Sequence, residues 1–221
     1  MVNGIKVPNE KIKNNTIQSK PCHESGAAMA GLSSLEELWW MLGALFFFHT
    51  SEYVLALLFH GRGVSLGSFL ISGPYLVALG CSFVEHGVES RYAPWMKTLS
   101  PVSYMGLAMV VVGEFMRKCA VVTANHSFTH DIKTFHRPEH RLVTHGIYRF
   151  FRHPGYLGFL IWSVGSQVLL CNPVCTVGYT IVMWRFFRDR IPYEEFFLVQ
   201  FFGEEYQRYA ERVPSGIPFI Q

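Results

Sequence analysis

The apolar residues of this 221-residue chain are gathered into long runs rather than spread along it. Three runs are each long enough to cross a bilayer as a helix, which takes about 20 residues. These runs are 38–60, 65–87 and 102–124. A fourth run, 155–187, is too long for one helix, and Asn172-Pro173 near its middle ends the first helix and forces a turn. The pattern predicts an all-α, polytopic integral membrane protein with about five transmembrane helices, the last two forming a hairpin.

The polar stretches around these runs divide the chain into five parts. Residues 1–32 have no compact apolar core behind their lysines, so they are not typical of a secretory signal. Ser33 and Ser34, followed by Glu36 and Glu37, are typical of a capped helix start. The predicted parts are a polar N-terminal tail at 1–34, transmembrane helices at 35–124, a cytosolic loop at 125–154, the hairpin at 155–187, and a cytosolic helix and tail at 188–221.

Basic residues are concentrated in two of the polar segments, and short loops rich in Lys and Arg mark the cytoplasmic face of a membrane. The residues are Arg117, Lys118, Lys133, Arg137, Arg141, Arg149 and Arg152 in the first segment, and Arg185, Arg188, Arg190, Arg208 and Arg212 in the second. A hairpin returns the chain to the side it left, so we expect both segments on the cytosolic face. Counting back three helices puts the N-terminal tail on the opposite side, although that tail is itself rich in lysine.

Composition narrows the classes of protein further. The formal net charge of +3 is small and scattered, which argues against a nucleic-acid partner. The five cysteines form no CxxC pair and lie mostly in apolar runs, which favours buried thiols without disulfides. The segment HRPEH at 136–140 matches the HxxEH pattern of one class of zinc peptidases, but Pro138 would disrupt the helix that such a motif needs. We therefore predict no metal site.

The segment HRLVTHGIYRFFRHPGYLG, at 140–158, contains much of the candidate chemistry. Pro154 is typical of a first helical position, with His153 as the cap. The free N–H groups and the positive dipole end of that helix would suit a carboxylate or a phosphate. Tyr148 and Tyr156 offer aromatic faces to a cation. The alternative is that these basic and aromatic residues only anchor the membrane interface.

The second polar segment begins as the last apolar run ends. Pro192 predicts the start of a new amphipathic helix, with Glu194 and Glu195 in a first turn where the helix dipole favours acidic residues. Arg190 is a fixed cation at the expected membrane surface, where it would meet an anion arriving from the bilayer.

Five segments together resemble the isoprenylcysteine carboxyl methyltransferases. They are LVTHGIY (142–148), RHPGYLG (152–158), RDRIPYEE (188–195), FFGEEYQRY (201–209) and RVPSGIPFI (212–220). Related membrane enzymes share RHPxYxG, but its combination with the later EE and FGEEY elements is specific, and the resemblance covers 38–220. It implies a multi-pass enzyme of the endoplasmic reticulum membrane whose active site faces the cytosol. Its substrates would be CaaX-processed proteins, such as small GTPases, whose farnesylated or geranylgeranylated C-terminal cysteine is methylated on the α-carboxylate by S-adenosylmethionine.

The resemblance also implies a role for each matching residue. The donor would lie along His140, Arg141, Leu142, Val143, Tyr148, His153, Pro154, Gly155 and Tyr156. Glu194 would close the donor pocket and Arg190 would hold the substrate carboxylate, which makes these two the expected catalytic residues. Two features differ from the family pattern. Lys133 stands where relatives often have glutamine, and a polar tail stands where animal members usually have further membrane helices.

The expected chemistry needs no general base, because an α-carboxylate with a pKa of about 3.3–3.7 is ionised at neutral pH. Positioning of the reacting atoms should therefore dominate. Glu114 is expected to pair with Arg117 and Lys118 on its own helix, whereas Glu52 and Glu85 either pack between helices or line a tunnel for the prenyl chain.

Three other functions stay open at this level. A phospholipid N-methyltransferase would share the donor, but Arg190 would repel the charge that develops on an amine. An integral sterol reductase would use a nicotinamide cofactor in a longer chain. An inactive short form would be a membrane interaction protein.

Overall fold

The computed structural model describes residues 22–60, 69–98, 100–128, 132, 134–135 and 141–221, and for residues 22–33, 60, 98 and 100 it describes the backbone alone. Six α-helices lie in these ranges: α1 Cys22–His60, α2 Gly73–Tyr92, α3 Ser100–Ala124, α4 Pro154–Leu169, α5 Pro173–Phe202 and α6 Glu204–Arg212. Short 3₁₀ helices lie at Pro94–Thr98, Asn125–Ser127 and Gly146–Arg149. The described part of the chain contains no β-strand, so the predicted all-α class is confirmed.

Helix α1 begins well before its predicted start. It contains 39 residues, a length of about 58 Å at 1.5 Å per residue. The prediction of a helix start at Ser33 and Ser34 is wrong, because both residues lie inside α1. The Ser34 hydroxyl instead hydrogen bonds to His86 at 3.1 Å and to Ser90 at 2.8 Å, both on α2. A serine inside a helix can thus bond to the neighbouring helix rather than to its own backbone, and α1 extends back into the segment 1–34 that the sequence predicted as a polar tail.

The predicted hairpin is confirmed, since α4 ends at Leu169 and α5 begins at Pro173. The first turn of α5 is capped from α2: the Glu85 carboxylate accepts the backbone N–H groups of Val174 and Cys175, both at 2.7 Å. An acidic group at a helix N-terminus satisfies free N–H groups and complements the dipole. Of the two roles open for Glu85, packing between helices is therefore the one it has.

The other side of the hairpin turn is held by Lys97, which is 1% exposed. Its ammonium donates to the carbonyls of Leu170 at 2.6 Å and Cys171 at 3.1 Å, at the end of α4. It also pairs with the Glu89 carboxylate at 2.7 Å. The Lys97 ammonium therefore donates to free carbonyl groups at the end of α4, while the Glu85 carboxylate accepts from free N–H groups at the start of α5.

Helix α5 is continuous through Pro192, and the prediction of a new helix at that residue is wrong. A proline inside a helix removes one backbone hydrogen bond, but here the chain resumes helical geometry and ends only at Gly203, which has a φ of 55°. Glu194 and Glu195 therefore lie inside a long helix rather than in a first turn, and the helix dipole does not explain them. Residues four apart on α5 share one side of a single rigid helix.

Helices α3 and α4 pack with their backbones in direct contact. Gly106 and Gly113 on α3, and Gly158 and Gly165 on α4, are each seven residues apart and so lie on one face of each helix. A Cβ added at Gly158 would come within 2.7 Å of the Gly113 carbonyl oxygen. Small residues allow this close approach in helical membrane proteins. The contact fixes the start of α4, where much of the candidate chemistry lies, against α3.

A buried ionic cluster joins α1 to α3. Arg117 donates to both carboxylate oxygens of Glu52, from Nε at 2.9 Å and Nη2 at 2.8 Å. Lys118 contacts the same carboxylate at 2.5 Å and Glu114 at 3.1 Å. The expected pairing of Glu114 within α3 is therefore present through Lys118. Glu52 packs between helices, which decides between the two roles left open for it.

The outer surface of the bundle is apolar. Large exposed hydrophobic side chains include Trp39 and Phe46 on α1, Val77 and Val84 on α2, Val111 and Phe115 on α3, and Val174 and Val182 on α5. Apolar surface of this extent is typical of contact with lipid or with other protein. By length and composition, one helical segment in the described ranges could cross a membrane, Ser34–Phe59, with 26 residues. The count of five spans and the cytosolic assignment stay predictions.

Candidate active site

One cleft, with an empty volume of about 740 Å³, lies where the start of α4 meets the second half of α5 and helix α6. The cleft is lined by residues 141–143, Tyr148, residues 153–156 and Glu194, all of which the sequence predicted as donor contacts. His140, also predicted, lies outside the described residues, as do Lys133 and the histidine-rich segment 136–140.

The start of α4 is built as predicted, except for the His153 side chain. His153 is at the cap position and Pro154 begins the helix, but the imidazole makes no capping hydrogen bond. Its Nε2 instead hydrogen bonds to Oε1 of Glu195 at 2.9 Å. The imidazole also stacks on the Tyr156 ring, with centroids 5.4 Å apart and planes 5° apart. Helix α5 therefore holds the imidazole in place. The His153 side chain accepts no hydrogen bond from the backbone N–H groups at the start of α4.

The two predicted catalytic residues lie one turn apart on α5 and are joined through Tyr156. The Tyr156 hydroxyl donates to Oε2 of Glu194 at 2.5 Å and accepts a hydrogen bond from Nε of Arg190 at 2.9 Å. Glu194 lines the cleft, and Arg190 is absent from its lining. The Arg190 guanidinium lies over the rings of Tyr156 and Phe186, at 5.6 Å and 5.5 Å from their centroids. Aromatic surface and the Tyr156 phenol thus help to orient Arg190.

Glu195 has a different position from Glu194 and is absent from the cleft lining. Its Oε1 accepts from Nε of Arg152 at 2.8 Å as well as from His153. Burial alone would raise the pKa of Glu195, but the hydrogen bonds from His153 and Arg152 outweigh burial and hold that pKa below its ordinary value. Glu195 is therefore an ionised anchor beside the cleft, and of the two neighbouring glutamates Glu194 is the one that faces the cleft.

Arg152 connects the cleft to the end of the chain. It is buried, and its Nη1 donates to the carbonyls of Ala210 at 3.0 Å and Val213 at 2.5 Å. Its backbone N–H donates to Pro214, and that of His153 donates to Ser215. The sequence identified Arg152 as one of several basic residues and as the first residue of the RHPGYLG segment, but assigned it no contact. The position of Arg152 along the sequence gives no signal that it is buried, because its guanidinium donates to Glu195 and otherwise to backbone carbonyls of a distant segment.

Several cleft residues were missed from the sequence. They are Ala124 at the end of α3, Ser127 and Phe128 after that helix, Arg152 before α4, Leu198 and Phe202 on α5, and Tyr206 and Tyr209 on α6. Leu198 and Phe202 follow Glu194 by four and eight residues, so a continuous α5 would have predicted them. Burial raises the pKa of Tyr209 to about 12, and its hydroxyl donates to the Tyr148 carbonyl at 2.6 Å. Helix α6 thereby fixes the segment that contains Tyr148.

The chain is similar to known proteins of one methyltransferase family. The model of the isoprenylcysteine carboxyl methyltransferase family matches residues 106–200. A probable protein-S-isoprenylcysteine O-methyltransferase of Oryza sativa subsp. indica is 54% identical over 191 residues, which cover 86% of this chain and 100% of the relative. Protein-S-isoprenylcysteine O-methyltransferase A of Arabidopsis thaliana is 53% identical, with 85% and 96% covered. The Homo sapiens enzyme is 45% identical, with 86% and 67% covered.

A solved structure extends the agreement to the fold. The eukaryotic intramembrane Ras methyltransferase ICMT superposes with a TM-score of 0.83 at 37% identity, covering 85% of this chain and 68% of that chain. The fold and the cleft thus define a helical membrane methyltransferase. More narrowly, the chain belongs to the isoprenylcysteine carboxyl methyltransferase family and is an enzyme of that family. Membership removes the sterol reductase and the non-enzymatic membrane protein from the alternatives.

Proposed function

We propose that this enzyme transfers the methyl group of S-adenosylmethionine to the α-carboxylate of a C-terminal prenylcysteine, farnesylated or geranylgeranylated, in CaaX-processed proteins such as small GTPases. One observation supports the proposal beyond family membership. The residues expected to hold the donor come from three separated parts of the chain, 141–148, 153–156 and the middle of α5, yet they line one cleft. Chance assembly of such a set is improbable for positions so far apart in sequence.

The chemistry of the cleft fits this donor. S-adenosylmethionine supplies an electrophilic methyl group on a positively charged sulfur. Glu194 places a carboxylate at the cleft wall, where it complements a positive charge, and Tyr148 and Tyr156 add aromatic surface. Tyr206 also lines the cleft, with its hydroxyl beside the Glu195 carboxylate. In the part of the chain that the structure describes, no group of three or more His, Cys, Asp or Glu could hold a metal ion.

Arg190 would hold the acceptor carboxylate in this proposal. A guanidinium binds a carboxylate through two parallel hydrogen bonds, which sets the direction of the attacking oxygen. Its Nε is already engaged by the Tyr156 hydroxyl, so the guanidinium is oriented before substrate arrives. Because Tyr156 also bonds to Glu194, the expected acceptor anchor and the donor wall belong to one hydrogen-bonded chain. Alignment of the two substrates is the main task, since an ionised carboxylate needs no base.

A membrane location follows from the same substrates. We propose five membrane spans, a cleft that faces the cytosol, and residence in the endoplasmic reticulum membrane. The apolar outer faces of α1, α2, α3 and α5 support contact with lipid. The concentration of Lys and Arg in the segments that border the cleft supports the cytosolic side. A prenyl chain would then arrive through the bilayer, and a soluble donor would arrive from water.

The test is methyl transfer from labelled S-adenosylmethionine to a farnesylcysteine analogue that has a free carboxylate, with the full chain in lipid nanodiscs. Arg190→Ala should lower kcat/KM by at least about 100-fold, if the guanidinium both binds and aligns the acceptor. Glu194→Ala should have a similar effect. The matched control is Arg188→Ala, because Arg188 is on the same helix and half exposed, pairs with Asp189 at the surface and lies over the Trp184 ring.

Each outcome has a distinct meaning. A base-labile methyl ester that is formed by the unmodified enzyme and by Arg188→Ala, and lost in the other two variants, supports the proposal. Methyl transfer to phosphatidylethanolamine in the nanodisc, with no ester, would replace it by the phospholipid N-methyltransferase. Equal rates for Arg190→Ala and Arg188→Ala would remove Arg190 from the site.

A further inference from the structure

The buried Arg117 on α3 connects the helical bundle to the cleft. Its side chain donates from Nε and Nη2 to the two carboxylate oxygens of Glu52 on α1, at 2.9 Å and 2.8 Å. Arg117 is 6% exposed and Glu52 is 1% exposed, so the pair is shielded from water. Two parallel hydrogen bonds to one carboxylate fix the orientation of a planar guanidinium. The position of the remaining nitrogen, Nη1, is therefore also set by Glu52.

The Arg117 guanidinium contacts the wall of the cleft from outside the cleft. Nη1 donates to the carbonyl of Gly155, a wall residue in the first turn of α4, at 3.2 Å. The guanidinium also lies 5.9 Å from the ring centroid of Phe128, a second wall residue. These two wall residues pack closely, because a Cβ added at Gly155 would come within 3.3 Å of the Phe128 ring. One buried cation thus holds two parts of the wall that are distant in sequence.

The charge of Arg117 also acts on a third wall residue, Tyr148. Burial is the main cause that raises the pKa of Tyr148, and the charge of Glu194 adds to it, whereas the charge of Arg117 acts in the opposite direction. Tyr148 lines the cleft together with residues 141–143, which are expected to contact the donor. Arg117 is therefore close to the part of the cleft that we assign to the donor.

We propose that Arg117 is a positioning residue for the methyl donor: fixed by Glu52, it holds the Gly155 carbonyl and the Phe128 ring in the arrangement that the donor needs. The inference rests on the proposed function, since it assigns the donor to this cleft. In this role Arg117 acts through the wall residues and does not touch the reacting atoms. The competing explanation is that the ion pair only stabilises the helical bundle.

The adjacent Lys118 separates these two explanations. Its ammonium contacts the carboxylates of Glu52 at 2.5 Å and Glu114 at 3.1 Å, and it lies 5.1 Å from the ring centroid of Phe48. In the part of the chain that the structure describes, none of these three partners lines the cleft. Loss of Lys118 should therefore weaken the ionic cluster but leave the cleft wall in place, because Arg117 keeps both of its bonds to Glu52.

The experiment compares Arg117→Lys with the control Lys118→Met, using the full chain in lipid nanodiscs. Arg117→Lys keeps the charge but loses the planar fork that spans Glu52 and Gly155. The Kd of S-adenosylhomocysteine, which is the donor after loss of its methyl group, is measured by calorimetry. Loss of one hydrogen bond to the wall should raise this Kd roughly threefold to tenfold in Arg117→Lys, and Lys118→Met should leave it unchanged. The KM for S-adenosylmethionine should rise by the same factor, with the KM for farnesylcysteine unchanged.

Two further measurements keep the proposal testable if a variant is unstable. Thermal unfolding shows whether affinity follows stability, since Lys118→Met removes a whole charge from the cluster and should lower Tm at least as much as Arg117→Lys. Glu52→Gln is the second variant. It keeps the size of the side chain and one acceptor oxygen for Arg117 but releases the other half of the fork, so it should also raise the Kd.

Each result has a definite reading. A Kd that rises in Arg117→Lys and not in Lys118→Met supports the proposal. An equal rise in both variants would overturn it, because donor affinity would then follow the stability of the bundle. An unchanged Kd in Arg117→Lys, or in Glu52→Gln where Arg117→Lys does not fold, would also overturn it. No binding of S-adenosylhomocysteine to the unmodified enzyme would overturn the proposed function itself, and this inference with it.

Discussion

Glu195 lies beside the cleft rather than in it, and its replacement by glutamine tests whether the start of α4 depends on α5. The substitution keeps the size of the side chain and removes its charge. The Glu195 side chain is 17% exposed, and its partners Arg152 and His153 are 6% and 5% exposed, so both hydrogen bonds are shielded from water. Hydrogen bonds to a charged group contribute about 1.5–3 kcal/mol and neutral ones about 0.5–1.5 kcal/mol.

The expected loss of stability follows from the remaining acceptors. Arg152 still donates to the carbonyls of Ala210 and Val213, so the guanidinium is not left without partners. We therefore expect Glu195→Gln to cost about 1–2 kcal/mol, below the 3–5 kcal/mol that a fully broken buried pair costs. At roughly 2–4 °C per kcal/mol for a chain of this size, Tm should fall by about 2–8 °C.

The assay is thermal unfolding in lipid nanodiscs, with Glu205→Gln as the matched control. Glu205 is an exposed residue on α6, where a surface change should stay within about 0.5 kcal/mol. Donor affinity should also fall in Glu195→Gln, because His153 lines the cleft and loses its charged partner. An equal Tm for the two variants would refute the view that Glu195 holds Arg152 and His153 in place.

The pH dependence of the same comparison has a definite sign. The pKa of Glu195 is lower in the folded state, so its charge stabilises the fold above the unfolded pKa of about 4.3, and this contribution is lost as pH falls through the folded pKa. The titratable and charged groups that face it are Arg152, His153, Tyr206 and the adjacent Glu194. The Tm difference between wild type and Glu195→Gln should shrink as pH falls below about 4.3, through the folded pKa of Glu195. A difference that grows over that range would contradict the assignment.

Two substitutions test the packing that positions the cleft. Gly158→Ala should destabilise the protein by about 1–3 kcal/mol, because its Cβ would come within 2.7 Å of a backbone atom of α3. The control Gly178→Ala, whose Cβ would have nothing within 4 Å, should cause no loss of stability. Equal unfolding temperatures for the two variants would refute the close α3–α4 contact. Lys97→Met should lower the free energy of unfolding by about 3 kcal/mol, because it leaves the Glu89 carboxylate without its partner and uncaps the end of α4. A Tm unchanged from wild type would exclude this role for Lys97.

The features that were predictable from the sequence depend on local signals. Asn172-Pro173 stops a helix by covalent geometry, and the apolar runs are too long and continuous to be strands. The same holds for the start of α4, where Pro154 follows a residue at the cap position. These local signals set the helix position of Tyr156 and its neighbours independently of the rest of the fold. The residues predicted as donor contacts in this part of the chain line the cleft.

The features that were not predictable depend on contacts between distant segments. Pro192 reads locally as a helix start, but α5 continues through it, and this brings Leu198 and Phe202 into the cleft. Ser34 reads locally as a cap, but it bonds to α2. The burial of Arg152 has no local signal at all. In each case the competing tertiary contact decided the outcome, and no spacing along the chain encodes it.

These long-range contacts explain how the cleft that we propose for the donor is built onto the helical bundle. Arg117, paired with Glu52 across α1 and α3, also donates through Nη1 to the Gly155 carbonyl at 3.2 Å, at the cleft. From the opposite side, Arg152 fastens the same end of α4 to α5 and to the C-terminal segment. The start of α4 is thus held between a buried ion pair of the helical bundle and the polar segments outside it. Both sets of contacts join segments that are distant in sequence, so the cleft forms only when the helices have packed. Substitution of Glu52 should therefore alter the proposed donor site, because Arg117 links Glu52 to the Gly155 carbonyl.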